Sequence, residues 1–128
     1  MPLSVVIPVP RQPDRIRAQG CDPVRVLARR LARALGLRVE PGRLWRVRAT
    51  LPQTELAGPE RRLSPRGSFA AAPPRRPERG VLLVDDVVTT GATLAAAALA
   101  LRSAGAGPVL EAALAGTPPL PFDEDPVL

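Results

Sequence analysis

The hydrophobic and polar positions along the chain alternate between short apolar runs and longer helical patterns. Four short segments have the length and flanking residues of strands. Residues 3–9 and 81–84 are apolar runs typical of buried strands, and the segments 37–40 and 109–115 each include at least one charged residue. Two of the intervals between these segments carry a helical pattern. Because strands that alternate with helices form a parallel sheet covered by those helices, the pattern predicts one α/β domain over residues 1–115.

The two predicted helices differ in how much of their surface is apolar. The first begins at Asp22, a good N-cap, places Pro23 in its first turn and ends at Gly36. Its arginines lie opposite the apolar face, which is typical of a solvated surface, with a polyanion-binding stripe as the alternative. The second helix, from about Thr93 to Ala104, is apolar nearly all round. It has to be covered on two sides, either by the rest of the chain or by a second copy in a homodimer.

Residues 43–80 interrupt the strand–helix pattern and are rich in proline, glycine and arginine. A segment this long inside a compact domain is usually functional or disordered. We expect Trp45–Thr50 and Ser68–Ala70 to pair as short strands, with 43–69 as a flexible loop region. Residues 116–128 form a Pro-rich acidic tail that we expect to be loosely attached.

The composition excludes several kinds of chemistry. The chain of 128 residues has one cysteine, Cys21, and no histidine. A disulfide within the chain, a Cys/His zinc site and catalysis by a histidine base are therefore excluded. All 18 basic residues are arginine and the net charge is +6, which favours phosphorylated or polyanionic partners.

Composition also bears on larger partners and on location. Only 2% of the residues are aromatic, so surfaces on which bases could stack are scarce and we expect no direct binding to DNA. No apolar run approaches the roughly 18 residues of a membrane-spanning helix. The first residues do not resemble a secretory signal, so we expect a cytoplasmic protein with no membrane partner.

The segment Val81–Thr93 carries the pattern with the clearest chemistry. An apolar strand leads to Asp85 and Asp86, followed by a turn of small residues and then a helix. The carboxyl edge of an open α/β sheet is where ligands bind, and a helix N-terminus favours an anion. This arrangement predicts a phosphate cradle beside two carboxylates, which would engage sugar hydroxyls or a bound Mg²⁺. A ribose 5-phosphate meets both demands.

Other interpretations of this segment are weaker. A single aspartate at a strand end is often a turn former, but two adjacent carboxylates repel each other and need a cation or donor groups nearby. The chain has no lysine for a P-loop, and Gly105-Ala106-Gly107 follows a helix instead of a strand, which argues against a dinucleotide-binding turn.

The sequence VLLVDDVVTTGAT at 81–93 resembles the signature of type I phosphoribosyltransferases. Other segments resemble the ComF, or competence protein F, branch of that family; they are Ile7-Pro8-Val9-Pro10, Arg48 to Gln53, Glu60-Arg61-Arg62 and Gly67-Ser68-Phe69. The resemblance spans roughly residues 5 to 115 and lacks the amino-terminal zinc ribbon of many ComF proteins. It implies a parallel-sheet phosphoribosyltransferase core with helices on both faces and a reduced or absent hood, the subdomain that recognises the base.

The resemblance also implies roles for particular residues. Asp85 and Asp86 would be the catalytic carboxylates and would hold the ribose hydroxyls of phosphoribosyl pyrophosphate (PRPP), directly or through the waters of a Mg²⁺ that arrives with PRPP. The 5-phosphate would be bound by Thr89, Thr90, Gly91, Ala92 and Thr93. The pyrophosphate would face Val9, Pro10 and Arg11. The flexible loop that closes over the reacting centre would include Arg48, Thr50, Gln53 and Arg61.

Two functions follow from the resemblance, and the residues leave the choice between them open. The first is transfer of a phosphoribosyl group from PRPP to an unidentified nitrogenous acceptor. The second is binding of PRPP or a nucleotide without transfer, in competence or DNA uptake. Thr89 stands where enzymes acting on 6-oxopurines carry an acidic residue, which argues against hypoxanthine–guanine salvage.

Overall fold

The computed structural model describes residues 2–11, 20–47, 62–63, 69–88 and 91–116. The strands are β1 Val5–Pro8, β2 Arg38–Val39, β3 Leu44–Arg46, β4 Arg62–Leu63, β5 Phe69–Ala71, β6 Val81–Val88 and β7 Val109–Gly116. The helices are α1 Pro23–Leu35 and α2 Ala92–Ser103, and a 3₁₀ turn spans Pro41–Arg43. No helix in these ranges combines the length and the hydrophobicity that crossing a membrane requires.

A four-stranded parallel sheet in the order β2-β1-β6-β7 forms the centre of the fold. Val5 pairs with Val81 and Pro8 with Val84, so all of β1 pairs in continuous parallel register with the first half of β6. The four segments predicted to be strands are the four strands of this sheet. The predicted α/β core is therefore confirmed, and the carboxyl ends of β1 and β6 meet at one edge.

Both faces of β1 and of the first half of β6 are buried, which explains why these two central strands are continuously apolar. Val6, Leu82 and Val84 pack against the apolar side of α1. Their neighbours along the strands point the other way and pack against α2; these are Val5, Ile7, Val81 and Leu83. Alternate residues of β1 and β6 thus anchor a helix on each face, as predicted.

Helix α1 has the ends that its sequence predicts. The carboxylate of Asp22 accepts a hydrogen bond from the amide of Val24 at 3.1 Å, and Pro23 occupies the first turn. Gly36 adopts a left-handed conformation, with φ of 71°, and its amide closes the last turn. These caps satisfy backbone groups that the helix leaves unpaired.

Helix α2 lies between two layers of the same chain. On the side away from the parallel sheet it meets an antiparallel sheet in the order β3-β5-β4. Leu44, Phe69 and Ala71 of this sheet share one hydrophobic core with Ala97 and Leu101 of α2. The chain itself therefore covers the second face of α2. The apolar surface of this helix gives no support to the alternative of a homodimer.

The second sheet follows the predicted pairing with small differences. Trp45 lies beside Ala70, within the two segments expected to pair. The additional strand β4, inside the region predicted to be a flexible loop, pairs with β5 and has only two residues, too few to leave a pattern. Every helix and strand of the described ranges belongs to one of these layers, so they contain no separate hood.

The largest departure from the sequence prediction is the length of β6. The predicted strand ends at Val84, with the acidic pair after it, but the structure continues the strand to Val88. The reason is that β7 also continues, to Gly116, so Asp85 pairs with Ala113 and Val88 with Gly116. The acidic pair therefore lies within the strand and not in the turn that follows it. Apart from Gly116, the predicted tail is outside the described residues.

Candidate functional site

The two aspartates of β6 have different surroundings. Asp85 is buried, with 8% of its surface exposed, and its Oδ1 accepts a hydrogen bond from the amide of Asp86 at 2.8 Å. The side chain of Asp86 is 25% exposed at the edge of the sheet. The fold therefore gives one enclosed carboxylate and one that a ligand can reach.

Arg11 lies directly against this acidic pair. The amide of Val9 donates to the carbonyl of Val84 at 2.9 Å, which extends the β1–β6 ladder beyond the end of β1. The next residues then turn across the edge, and Arg11 Nη1 donates to Asp86 Oδ2 at 2.5 Å. The turn implied to bind pyrophosphate and the pair implied to bind ribose thus meet at one ion pair.

The pKa of Asp85 is raised from 3.8 to about 6. Burial is the main cause, because it removes water from the charged form. The neighbouring carboxylate of Asp86 raises the pKa further, whereas the hydrogen bond from the Asp86 amide and the charge of Arg11 act in the opposite direction. A carboxyl with this pKa exchanges its proton near neutral pH and gains from a cation brought close to it.

Three residues separate the end of β6 from the first residue of α2. Its N-cap is Gly91, which has a φ of 82° and no side chain with which to cap the helix. Gly91 and Ala92 are half-buried and Thr93 is exposed, so ligand atoms can approach this end of the helix. A helix N-terminus carries partial positive charge and suits a phosphate.

Several residues with predicted roles fall in ranges that the structure does not describe. They are Thr89 and Thr90 of the phosphate turn and the loop residues Arg48, Thr50, Gln53 and Arg61. Their roles stay predictions. The described members of the predicted site, from Val9–Arg11, Asp85–Asp86 and Gly91–Thr93, lie on adjacent segments at the carboxyl edge of the sheet.

Comparison with known proteins agrees with this geometry. Competence protein F of Haemophilus influenzae is 34% identical over 104 residues, which is 80% of this chain and 45% of that protein. A crystal structure of adenine phosphoribosyltransferase matches with a TM-score of 0.60 at 17% identity, covering 91% of this chain and 59% of that one. This chain is a ComF-like protein with the type I phosphoribosyltransferase fold. No protein-family profile matches it.

The ComF-like chain spans less than half the length of competence protein F. The match to adenine phosphoribosyltransferase, at 17% identity, establishes the fold of the chain. The ligands and activities of these two proteins can only be proposed for this chain, and the residues of its own site have to support the proposal.

The residues at the edge fit a Mg²⁺ that a phosphorylated ligand brings with it. Mg²⁺ prefers oxygen ligands, keeps several waters and is usually bound through one or two carboxylates plus substrate phosphates. Asp85 and Asp86 supply two adjacent carboxylates, and the negative charge of each raises the demand for a cation near the pair. The described residues contain no group of three or more acidic, His or Cys side chains that could hold a metal alone.

Sequence reasoning missed one residue that shapes this site. Arg46 on β3 donates from Nε to the carbonyl oxygen of Pro10 at 2.7 Å, and its guanidinium lies 4.9 Å from the centre of the Phe69 ring. It therefore ties the turn after β1 to the antiparallel sheet. The contact with Pro10 spans 36 residues of sequence and left no local signal, although Arg46 lies within the segment Trp45–Thr50 that was predicted to pair with Ser68–Ala70.

Proposed function

We propose that this ComF-like chain binds PRPP with Mg²⁺ at the carboxyl edge of its parallel sheet and transfers the phosphoribosyl group to a nitrogenous acceptor. The observation that carries the proposal is the contact between Arg11 and Asp86. It joins a cationic turn, suited to a pyrophosphate, to a carboxylate, suited to ribose hydroxyls, and the N-terminus of α2 follows within a few residues.

Each described residue of the site has a chemical role in this proposal. Asp86 accepts hydrogen bonds from the ribose hydroxyls, and Asp85 supports it as a second negative charge that holds hydrated Mg²⁺. The backbone around Gly91 binds the 5-phosphate, together with Thr89, Thr90, Ala92 and Thr93. Arg11 neutralises the charge that develops on the departing pyrophosphate, which lowers the barrier to its loss.

Binding of PRPP exchanges contacts that already exist in the free protein. Arg11 now uses Nη1 to neutralise Asp86. A bound PRPP offers hydroxyl donors to Asp86 and phosphate oxygens to Arg11, so both charges keep a partner. The reaction itself passes through an oxocarbenium-like state that water would intercept, so it needs the site to be closed. The loop residues Arg48, Thr50, Gln53 and Arg61 are assigned that closing role here.

A second candidate is a protein that binds PRPP or a nucleotide without transfer and acts in competence or DNA uptake. The specific observation in its favour is the similarity to competence protein F, together with the lack of a hood among the described residues. The cytoplasmic location expected from the sequence belongs to both candidates. A homodimer, or another chain, would supply the acceptor-binding surface of the enzyme.

Calorimetric titration of the full chain with PRPP, with and without Mg²⁺, tests the binding step. We expect stoichiometric binding that requires Mg²⁺. Pyrophosphate release with a panel of nitrogenous bases then separates the two candidates, and light scattering gives the oligomeric state. Failure to bind at millimolar PRPP would overturn the transferase, and failure to bind nucleotides as well would overturn the second candidate. Binding of PRPP with no pyrophosphate release for any base would favour the second candidate.

A further inference from the structure

On the α1 side of the parallel sheet, the described residues leave one strip uncovered, between α1 and the edge strand β7. Helix α1 packs over β1 and β6 through Val24, Ala28 and Ala32, and β7 is the last strand of the sheet. A cavity of about 220 Å³ lies between α1 and β7, and it is lined by Leu27, Leu31, Val84, Ala112 and Ala113. We call this cavity the β7 groove.

The apolar surface of the β7 groove continues along β7 to Leu110. Leu110 pairs with Leu82, whose side chain packs under α1, so Leu110 points to the same side of the sheet as the groove. It is 47% exposed. A contiguous apolar surface of this kind is typical of a site where another segment of chain packs.

The side of the groove that α1 forms is positively charged. Arg30 comes three residues after Leu27, so the two side chains are neighbours on the surface of the helix. Arg30 shares an exposed surface with Arg29 and Arg33. None of these three arginines forms a salt bridge within the described part of the chain. The groove therefore suits a segment that combines apolar and acidic side chains.

We propose that the β7 groove binds the carboxyl-terminal tail of this chain, residues 117–128. The tail continues directly from Gly116, the last residue of β7. Its sequence has the two properties that the groove requires, since Leu120 and Phe122 are followed by three consecutive acidic residues at 123–125. The apolar side chains would fill the groove, and the carboxylates would pair with the arginines of α1.

The lengths of the two segments agree with this assignment. Phe122 is six residues beyond Gly116, and Leu110 is six residues before it. A tail that reverses beside β7 can therefore carry Phe122 along the groove, at most to the level of Leu110. Helix α1 connects the carboxyl end of β1 to the amino end of β2, so it runs antiparallel to β7. Its second half, with Arg30, then lies where the acidic residues follow.

A second copy of the chain fits the groove less well than the tail does. Each chain has a net charge of +6, and a contact at the groove would bring two arginine-rich α1 helices together against their mutual repulsion. The tail instead brings negative charge, and its attachment to β7 keeps it at a high effective concentration. This inference is independent of the proposed function, because the groove lies on a face of the sheet and not at its carboxyl edge.

Thiol labelling of the full chain tests the assignment. In a Cys21→Ser background, Leu110→Cys places the only thiol beside the groove. Glu111→Cys is the matched control, because the next residue of a strand points to the opposite face of the sheet. We expect Phe122→Ser to speed labelling several-fold at position 110 and to leave the rate at position 111 unchanged. Arg30→Gln should give a smaller increase, as should high salt, because both weaken the contact with the acidic residues.

The other outcomes would overturn the proposal. Equal rates at position 110 with and without Phe122→Ser would mean that the tail is loosely attached, and an equal increase at both positions would mean that Phe122→Ser loosens the whole fold. Protection that is lost on dilution would assign the groove to a second copy, since binding of a chain's own tail does not depend on concentration. If Leu110→Cys does not fold, Ala112→Cys, a smaller change within the groove, gives the same comparison.

Discussion

Asp85 and Asp86 are neighbours in the sequence, but the fold separates their chemistry. Asp85 is enclosed by β6 and its surroundings, and burial holds its pKa at about 6. Asp86 is paired with Arg11 and stays accessible. The pair therefore combines one carboxyl that titrates near neutral pH with one that is positioned to receive a ligand.

The substitution Asp86→Asn tests the accessible carboxylate. Losing its charge removes a strong acceptor for ribose hydroxyls and weakens the attraction for Mg²⁺, so we expect PRPP–Mg²⁺ affinity to fall at least tenfold, or about 1.4 kcal/mol. The protein should stay folded with a modestly lower melting temperature, because Arg11 loses its charged partner while the Asn side-chain oxygen can still accept its hydrogen bond. Glu111→Gln is the control, since Glu111 is an exposed carboxylate on β7. Wild-type affinity in Asp86→Asn, measured by calorimetry, would remove Asp86 from the site.

The substitution Asp85→Asn tests the enclosed carboxyl through stability. The folded pKa of about 6 lies above the ordinary value of 3.8, so the folded state binds this proton more tightly than the unfolded chain does. The resulting stabilisation is present below about pH 4 and is lost as the pH rises through 6. At pH 7.5, Asp85→Asn should raise the free energy of unfolding by about 1–2 kcal/mol.

At about pH 3 the same substitution should have little effect, because Asp85 is then mostly protonated in both the folded and the unfolded state. Denaturant unfolding at the two pH values gives the comparison. An equal change in the free energy of unfolding at both would mean that Asp85 is not destabilised by burial. A weaker affinity for PRPP–Mg²⁺ in the stabilised variant would show that the carboxylate is kept for binding at a cost in stability.

At the scale of elements, local signals predicted the parts of the fold that depend on local physics. Asp22, Pro23 and Gly36 marked both ends of α1, because caps act within one turn. The predicted end of β6, at Val84, was wrong for a related reason. Two aspartates are poor strand formers, and only the hydrogen-bond ladder to β7, a partner some 28 residues away, keeps them in the strand.

Gly91 at the start of α2 offers a test of the phosphate cradle as an element. Its φ of 82° is unfavourable for a residue with a Cβ, so Gly91→Ala should destabilise the protein by about 1–2 kcal/mol. Distortion of the turn should also weaken binding of ribose 5-phosphate several-fold. Gly36→Ala is a matched control, since Gly36 has a φ of 71° and, like Gly91, open space where a Cβ would stand.

Gly36 ends α1, on the other side of the sheet from α2, so its alanine variant should lose similar stability and keep its affinity. Thermal unfolding and calorimetric titration of both variants distinguish the effects. Parallel losses of affinity in the two variants would mean that binding follows global stability and that the turn at Gly91 has no special role.

At the scale of the whole molecule, the sequence predicted the parallel sheet but not the contacts that connect it to the antiparallel sheet. The apolar surface of α2 predicted a second covering layer, because hydrophobic area has to be buried. It could not show that β3, β5 and β4 supply that layer. Nor could it show that Arg46 reaches Pro10, because this contact depends on long-range packing.

A second long-range contact, between Arg43 and Glu78, joins the two sheets near the amino ends of β6 and β7. Arg43 donates from Nη1 and Nη2 to the two carboxylate oxygens of Glu78, at 2.6 and 3.1 Å. Glu78 also accepts from the amide of Gly107 at 3.3 Å, and its side chain is only 2% exposed. Arg43 is the residue immediately before β3, so this buried pair connects the start of that strand to the starts of β6 and β7.

Removing one member of the pair should therefore destabilise the whole fold while leaving the ligand site alone. We expect Glu78→Ala to lower the free energy of unfolding by about 3–5 kcal/mol, because Arg43 would keep a buried charge with Glu40 as its remaining close partner. The double variant Glu78→Ala with Arg43→Met should be more stable than the sum of the single changes, since the buried charge is gone. Denaturant unfolding of the original chain, the two single variants and the double variant measures this coupling, and additive losses would show that the pair is not an energetic unit.

Because the pair lies at the edge opposite Asp86, folded Glu78→Ala protein should keep its PRPP affinity, and a large loss would mean that the antiparallel sheet positions the site.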